Sequence, residues 1–207
     1  TWSKAMESGV VTSHVDFRRN YGPASYDRAH MLNLAHLYEL PFGPGKPWAA
    51  RGWTATVLGG WQVNGIFRAV TGLPGTIVAN ATPCNCPGNG NFADQIAPVS
   101  YPGRIGRGEF WFSRESFAVP GANRFGNGAT GNIRGPGFWN YDFSLFRRFS
   151  WRERFQLEFR AEAFNLTNTP RFALPERNIN SANFGQVLTT LDNAGERQLQ
   201  FGLRLAF

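Results

Sequence analysis

Three groups of residues have types and spacings that could do chemistry. Gly126-Asn127-Gly128-Ala129-Thr130-Gly131 matches G-x-G-x-x-G, a loop that lets a pyrophosphate approach backbone N–H groups. That chemistry needs a strand before the motif and a helix after it. Here Asn132-Ile133-Arg134-Gly135-Pro136-Gly137 comes next, and two glycines with a proline do not start a helix. These glycines read as loop. Glu158 and Glu162 could be offered as a glycosidase-type carboxylate pair. Four residues apart on one strand, however, they sit roughly 13 Å apart, too far for either glycosidase geometry. Cys84 and Cys86 lie in Pro83-Cys84-Asn85-Cys86-Pro87. One intervening residue strains a mutual disulfide, and the prolines mark a loop. A metal site would want further ligands, yet His14, His30 and His36 are distant in sequence. An unusual loop disulfide or two free thiols is the reading. The chain has no G-x-S-x-G, H-E-x-x-H or phosphate loop ending in Gly-Lys-Ser/Thr. No catalytic, cofactor or metal site is expected, and the enzyme reading is set aside.

Composition narrows what remains. The 207 residues suffice for a sizeable core and include 24 Gly, 13 Pro and 15% aromatics but only 17% charged residues. No run approaches eighteen apolar residues, so a transmembrane helix is excluded. A transmembrane β-strand is not, because only alternate residues need be apolar. The chain opens on Thr1-Trp2-Ser3-Lys4 rather than Met, so the lack of a signal-peptide pattern there says nothing of where the protein lives. The net charge of +7 raises nucleic acid as a partner. Nineteen of the 21 basic residues are Arg, scattered from Arg18 to Arg204 rather than gathered on one stripe. No nucleic-acid partner is therefore expected; anionic lipid headgroups are the better match.

The elements that would position these residues are strands. In the last ten residues, Leu199, Phe201, Leu203, Leu205 and Phe207 alternate with Gln198, Gln200, Gly202, Arg204 and Ala206. Period-two alternation gives one apolar and one polar face. Arg197 to Phe207 is eleven residues, within the roughly 9–11 that a tilted strand needs to cross a bilayer. Four earlier runs behave alike. Leu32 to Leu40 and Trp61 to Ala69 are the first two. In the third, Trp139, Tyr141, Phe143, Leu145 and Phe149 oppose Asn140, Asp142, Ser144, Phe146 and Arg148. In the fourth, Phe155, Leu157, Phe159, Ala161 and Ala163 oppose Gln156, Glu158, Arg160 and Glu162. A sixth, truncated strand is expected at Thr1 to Met6.

Connection lengths decide between architectures. They run long, moderate, long, short, long: Glu7–Ala29, Pro41–Gly60, Ala79–Phe138, Ser150–Arg154 and Asn165–Gly195. Outer-membrane barrels pair short periplasmic turns with long extracellular loops, whereas a soluble sandwich has no reason to sort loops by parity. The parity also places Tyr38, Phe42, Trp61, Phe149, Trp151, Phe155 and Phe207 at one edge, where an aromatic girdle belongs. On the polar faces, Glu158, Arg160 and Glu162 should lie near Asp142 and Arg148 on one neighbour and Arg204 and Gln200 on the other. Buried charges are tolerated when paired or wet, and in a barrel lumen they are both. This ladder reads as structural first and ligand-contacting second. Arg147 interrupts the outward row near the short turn, where its stem could let the charge reach headgroups.

The expected fold is thus all-β and antiparallel: about six C-terminal strands of a larger transmembrane barrel, occupying residues 1–207. Bacterial barrels of this type start at eight strands, and an open sheet would expose unpaired edges. The remaining strands are expected N-terminal to Thr1. Two alternatives stand: a secreted carbohydrate-binding β-sandwich using some of the seven Trp, and a passive outer-membrane porin.

Several segments carry a family resemblance. They are Ser25-Tyr26-Asp27-Arg28-Ala29-His30 leading to Tyr38-Glu39-Leu40-Pro41-Phe42-Gly43; Gly59-Gly60-Trp61-Gln62-Val63-Asn64-Gly65-Ile66 with Thr71-Gly72-Leu73-Pro74; and Phe155 through Asn168 with the terminal Phe207. Together they resemble the end of the large TonB-dependent, Oar-like outer-membrane receptors, which carry a carboxypeptidase-regulatory-like domain at their N-terminus. The loop Ala79 to Phe138 matches only loosely. The resemblance implies a 22-stranded barrel closed by an N-terminal plug. It also implies uptake of a large or scarce substrate, driven through the TonB complex by way of a region outside this sequence. Further implied partners are outer-membrane lipid and the barrel-assembly machinery, which would read the strand Leu199, Phe201, Leu203, Leu205 and Phe207. Recognition by strand addition fits such a segment. The substrate itself is not readable.

Overall fold

The structure is a computed structural model that describes residues 1–8, 16–79, 91–151, 155–191 and 195–207, with only the backbone described for Trp151. Cys84, Cys86, His14, Arg152 and Arg154 fall outside the described residues. In chain order the strands are β1 (Met6–Ser8), β2 (Tyr21–Pro23), β3 (Met31–Glu39), β4 (Trp61–Val70), β5 (Pro74–Gly75), β6 (Asp94–Gln95), β7 (Phe117–Ala118), β8 (Ile133–Arg134), β9 (Phe138–Trp151), β10 (Phe155–Phe164) and β11 (Gln198–Ala206). Among the described residues there is one α-helix, α1 (Gly52–Leu58), and none long and apolar enough to cross a membrane. The chain divides into two units. One joins Thr1–Met31, Val70–Phe138 and Pro170–Ala194; the other joins Leu32–Ala69, Trp139–Thr169 and Gly195–Phe207.

The second unit is a five-stranded sheet in the order β11-β10-β9-β4-β3. Each long strand pairs with its neighbour among the long strands, the up-and-down order of barrel walls. β10 runs antiparallel to both flanking strands, with Leu157 opposite Phe149 on one side and Leu205 on the other. β3 and β11 are the edges, so the sheet is open. All five strands fall where the alternation places them, within two residues at each end. The moderate connection from Pro41 to Gly60 contains α1, which periodicity does not reveal. Gly52, at φ +73°, turns the chain into it, and Gly59 closes it by donating its N–H to Ala55 O at 3.0 Å. A Cβ on Gly59 would lie 2.4 Å from that carbonyl, so only glycine fits this closure.

The first unit gathers the long connections, and they are not the featureless loops that their composition suggests. Phe112, Phe117 and Phe184 pack edge to face, with centroids 5.6, 5.4 and 6.2 Å apart, and Ile77, Ala93 and Ile133 complete a buried cluster. Burying each Phe contributes about 1.5–3 kcal/mol, enough to order segments with little repeating structure. Short antiparallel pairs, β5 with β8 and β6 with β7, tie the segments together. Gly126 and Gly128 of the G-x-G-x-x-G stretch serve this packing: a Cβ there would fall 1.9 Å from Phe92 O and 2.6 Å from Ala93 O. Beyond Gly131 the chain enters strand β8 rather than a helix.

Two carboxylates anchor the same unit. Asp27, with a side chain 1% exposed, takes Arg134 Nη2 at 2.6 Å on one oxygen and the Ala5 N–H at 3.0 Å on the other. The Arg134 guanidinium holds the Asp27 carboxyl below its ordinary range despite burial. Asp94 is held the same way by Arg124 and also accepts from the Asn127 N–H at 2.8 Å. The Asp27 anchor corrects one expectation. Thr1 to Met6 does not form a sixth strand of the sheet. It runs antiparallel beside Ala29–Met31 only around the Trp2–His30 bridge, where Thr1 and Met31 exchange backbone hydrogen bonds, and then β1 pairs with β2. Ser3 and Ala5 both donate to the Asp27 carboxylate, and these bonds hold the segment within the first unit.

Candidate functional site

The sheet presents two chemically distinct faces, and β10 shows how the sequence makes them. Its even residues Gln156, Glu158, Arg160 and Glu162 share one face, and the register extends each into a rung. Glu158 sits between Arg148 and Arg204, Arg160 between Phe146 and Gly202, and Glu162 between Ser144 and Gln200. Glu158 is the hub. One oxygen accepts from Arg148 Nε at 2.9 Å and the other from Arg160 Nε at 2.5 Å. Its side chain is 13% exposed against 74% for Arg148, so the carboxylate is shielded while one arginine remains open to solvent. Arg160 also lies 5.2 Å from the Phe146 ring centroid, a cation–π distance. Gln62, Asn64 and Phe146, with Arg147, Arg148, Glu158 and Arg160, border a recess of about 270 Å³. A second recess of about 240 Å³ is bordered by Arg148, Gln156, Glu158 and Arg204.

The odd residues make the other face. Its rungs read Phe149–Leu157–Leu205, Arg147–Phe159–Leu203, Leu145–Ala161–Phe201 and Phe143–Ala163–Leu199. On β11 nothing covers them: Leu199 is 61%, Phe201 71%, Leu203 71% and Leu205 58% exposed. Trp61 meets Phe159 edge-on at 6.0 Å. Higher on this face, His36 stacks on Tyr141 and shares a hydrogen bond with it, Nε2 to Oη, at 2.7 Å. Gly65 makes that pair possible, since a Cβ there would lie 2.5 Å from each of the two polar atoms.

A family model for the outer membrane beta barrel domain matches residues 1–200 of this chain. The chain belongs to that family. The protein is therefore an outer-membrane barrel protein of the bacterial outer membrane. No curated protein and no solved structure matches it.

Within this barrel family member, the structure brings some expected groups together and separates others. Arg148, Glu158 and Arg160 form one ionic cluster, with Arg204 on the same rung. Glu162 shares their face, opposite Gln200. Asp142 does not join the ladder. Its carboxylate accepts from the Asn165 N–H at 2.8 Å and Asn140 Nδ2 at 3.3 Å, so it fixes the chain where it leaves β10. Trp61, Phe149 and Phe155 gather toward the short-connection end of the sheet; Tyr38 lies at the corresponding end of β3, and the Trp151 side chain is outside the described residues. Phe149, Phe155, Leu157 and Leu205 line an apolar hollow of about 490 Å³. Phe207 follows the end of β11 and is 92% exposed.

Arg147 is where sequence reasoning missed the arrangement. Its charge does not reach outward, because the residue is only 7% exposed. It donates through Nη1 to Val57 O and through Nη2 to Thr56 O, closing the C-terminal end of α1. Its guanidinium lies 4.0 Å from the Phe149 ring centroid and 5.3 Å from that of Trp61. Trp61 Nε1 also donates to Val57 O at 3.0 Å. The available signal was an arginine in an apolar row opposite a connection bracketed by Gly52 and Gly59.

Proposed function

We propose that this chain is the C-terminal part of the barrel of a TonB-dependent, Oar-like receptor that takes up a large or scarce substrate by energised transport. In this reading Leu199, Phe201, Leu203 and Leu205 face lipid, while Glu158, Arg160, Glu162, Arg148 and Arg204 face the lumen. The observation that carries the wall assignment is the register itself: three strands gather Arg148, Glu158, Arg160, Glu162 and Arg204 on one face, while the other face is apolar apart from the buried Arg147 and stands uncovered along β11. A face of uncovered leucine and phenylalanine is stable when acyl chains wet it. The glutamate–arginine cluster suits a wet interior, where its exposed arginine stays solvated. The aromatic core of the long connections supports a receptor, because folded loops can present a defined surface to a substrate before it enters. The remaining strands, the plug and the TonB-contacting segment belong to sequence outside this chain, and the unpaired edges β3 and β11 are where further strands add. The assembly machinery is the partner for the C-terminal strand and Phe207.

A passive porin is the second reading, since polar lumen rungs suit both. Single-channel recording of the full-length protein in planar bilayers separates them. A plugged receptor gives no steady conductance; stable ohmic steps from untreated protein would establish an open pore and remove the receptor reading.

A further inference from the structure

The connection carrying α1 has surface that the barrel wall does not use. Trp48 is 60%, Trp53 76%, Val57 53% and Leu58 44% exposed, and Trp53 and Val57 are one helical turn apart, on one stripe. Lys46 and Arg51 are the charged residues between Pro41 and Gly60; Lys46 is paired with Glu39 at 2.9 Å, so the surface is aromatic and aliphatic with Arg51 as its further cation. Three of the last four carbonyls of this helix are taken by protein donors. The last carbonyls of an α-helix lack intrahelical partners, yet Ala55 O takes the Gly59 N–H, Thr56 O takes Arg147, and Val57 O takes both Arg147 and Trp61. Both donors stand on the apolar face of the sheet, so α1 is clamped against that face. It lies in the connection between β3 and β4, which has the same parity as the short turn between β9 and β10.

We infer that Trp48 to Leu58 is an interfacial anchor for phospholipid of the leaflet at the short-connection end, with Trp48, Trp53, Val57 and Leu58 entering the boundary between headgroups and acyl chains. Two features select lipid as the occupant. The surface continues the apolar face that the proposed function gives to acyl chains, and Arg51 at the start of the helix complements lipid phosphate. Backbone groups cannot be left unpaired near hydrocarbon, and the Arg147 and Trp61 bonds supply the partners that water supplies elsewhere. An arginine in the outward row is thereby accounted for: its charge is spent on helix carbonyls and stacked on aromatic rings.

The inference rests on the lipid-facing assignment, and one experiment separates the two. The full-length protein is reconstituted in phosphatidylethanolamine–phosphatidylglycerol vesicles with or without bromine on the acyl chains near the headgroup. Parent and Trp48→Phe/Trp53→Phe proteins are compared by tryptophan emission. The difference spectrum, which belongs to Trp48 and Trp53, is expected to be quenched by brominated lipid. If the other tryptophans are quenched while this difference is untouched, the anchor is wrong and the barrel wall stands. If bromine quenches no tryptophan, both fall.

Discussion

Replacing Leu203 with Arg tests the lipid-facing row at one of the two most exposed apolar side chains of β11. Leu203 is 71% exposed, opposite Phe159, with Arg147 one strand further along the same rung. Two strand spacings put the backbone at position 203 about 10 Å from that of Arg147, and the helix carbonyls already take Nη1 and Nη2 of Arg147. The added charge therefore meets lipid with no acidic partner. An arginine facing the bilayer midplane of a barrel costs about 2–4 kcal/mol, a shift of about 30- to 1,000-fold in the folding equilibrium. Gln200→Arg is the paired control. Gln200 faces the polar side opposite Glu162, and a cross-strand ion pair there should contribute about 0.2–1 kcal/mol of stabilisation. Denaturant titration of both full-length variants in lipid vesicles measures the difference. Equal tolerance of both substitutions, or a larger loss at Gln200, would refute the face assignment.

Four further outcomes rest on named contacts. Gly65→Ala should cost about 1–3 kcal/mol in the same titration, because its methyl displaces the His36–Tyr141 pair; an unchanged midpoint would show the pair dispensable. Phe112→Ala removes a ring with no exposed surface from the connection core and should cost that unit about 3–5 kcal/mol. Limited proteolysis should then cut between residues 91 and 138 while the strands stay protected. Asp27 and Asp94 have carboxyls held below their ordinary range by Arg134 and Arg124. Their contribution is full above the unfolded carboxylate value of about 3.9 and is lost as pH falls through the depressed folded values. Protease sensitivity of the long connections should therefore rise on acidification below about pH 4, and Asp27→Asn should show that sensitivity already at neutral pH. Deleting Phe207 from the full-length protein should lower its abundance in the outer membrane, measured by fractionation; normal abundance would remove the terminal aromatic as an assembly signal.

The strands were legible because a half-apolar face imposes a period that no packing detail can hide. β10 illustrates this: Phe155, Leu157 and Phe159 fix the face, and placing Glu158 beside Arg148 and Arg204 sets the register. The helix α1 was hidden for the converse reason. Thr54, Thr56 and Val57 are poor helix formers, and the helix persists through donors ninety residues away on β9. The core of the long connections was hidden as well. Phe112, Phe117 and Phe184 come from segments with no shared periodicity, and only tertiary folding brings them together. The backbone partner of Asp142 at Asn165 depends on how the chain leaves β10, which spacing does not encode. Family membership, by contrast, agrees with what the repeating strands alone imply.

Nitroxide scanning along β11, one label at a time from Gln198 to Ala206, tests the two-faced wall most directly. It requires full-length protein in vesicles with Cys84 and Cys86 replaced by serine. Labels at 199, 201, 203 and 205 should collide with dissolved oxygen, which concentrates among acyl chains, and labels at 198, 200, 202 and 204 with a water-soluble nickel chelate. A profile without this two-residue alternation, or with odd positions favouring the nickel reagent, would contradict the account.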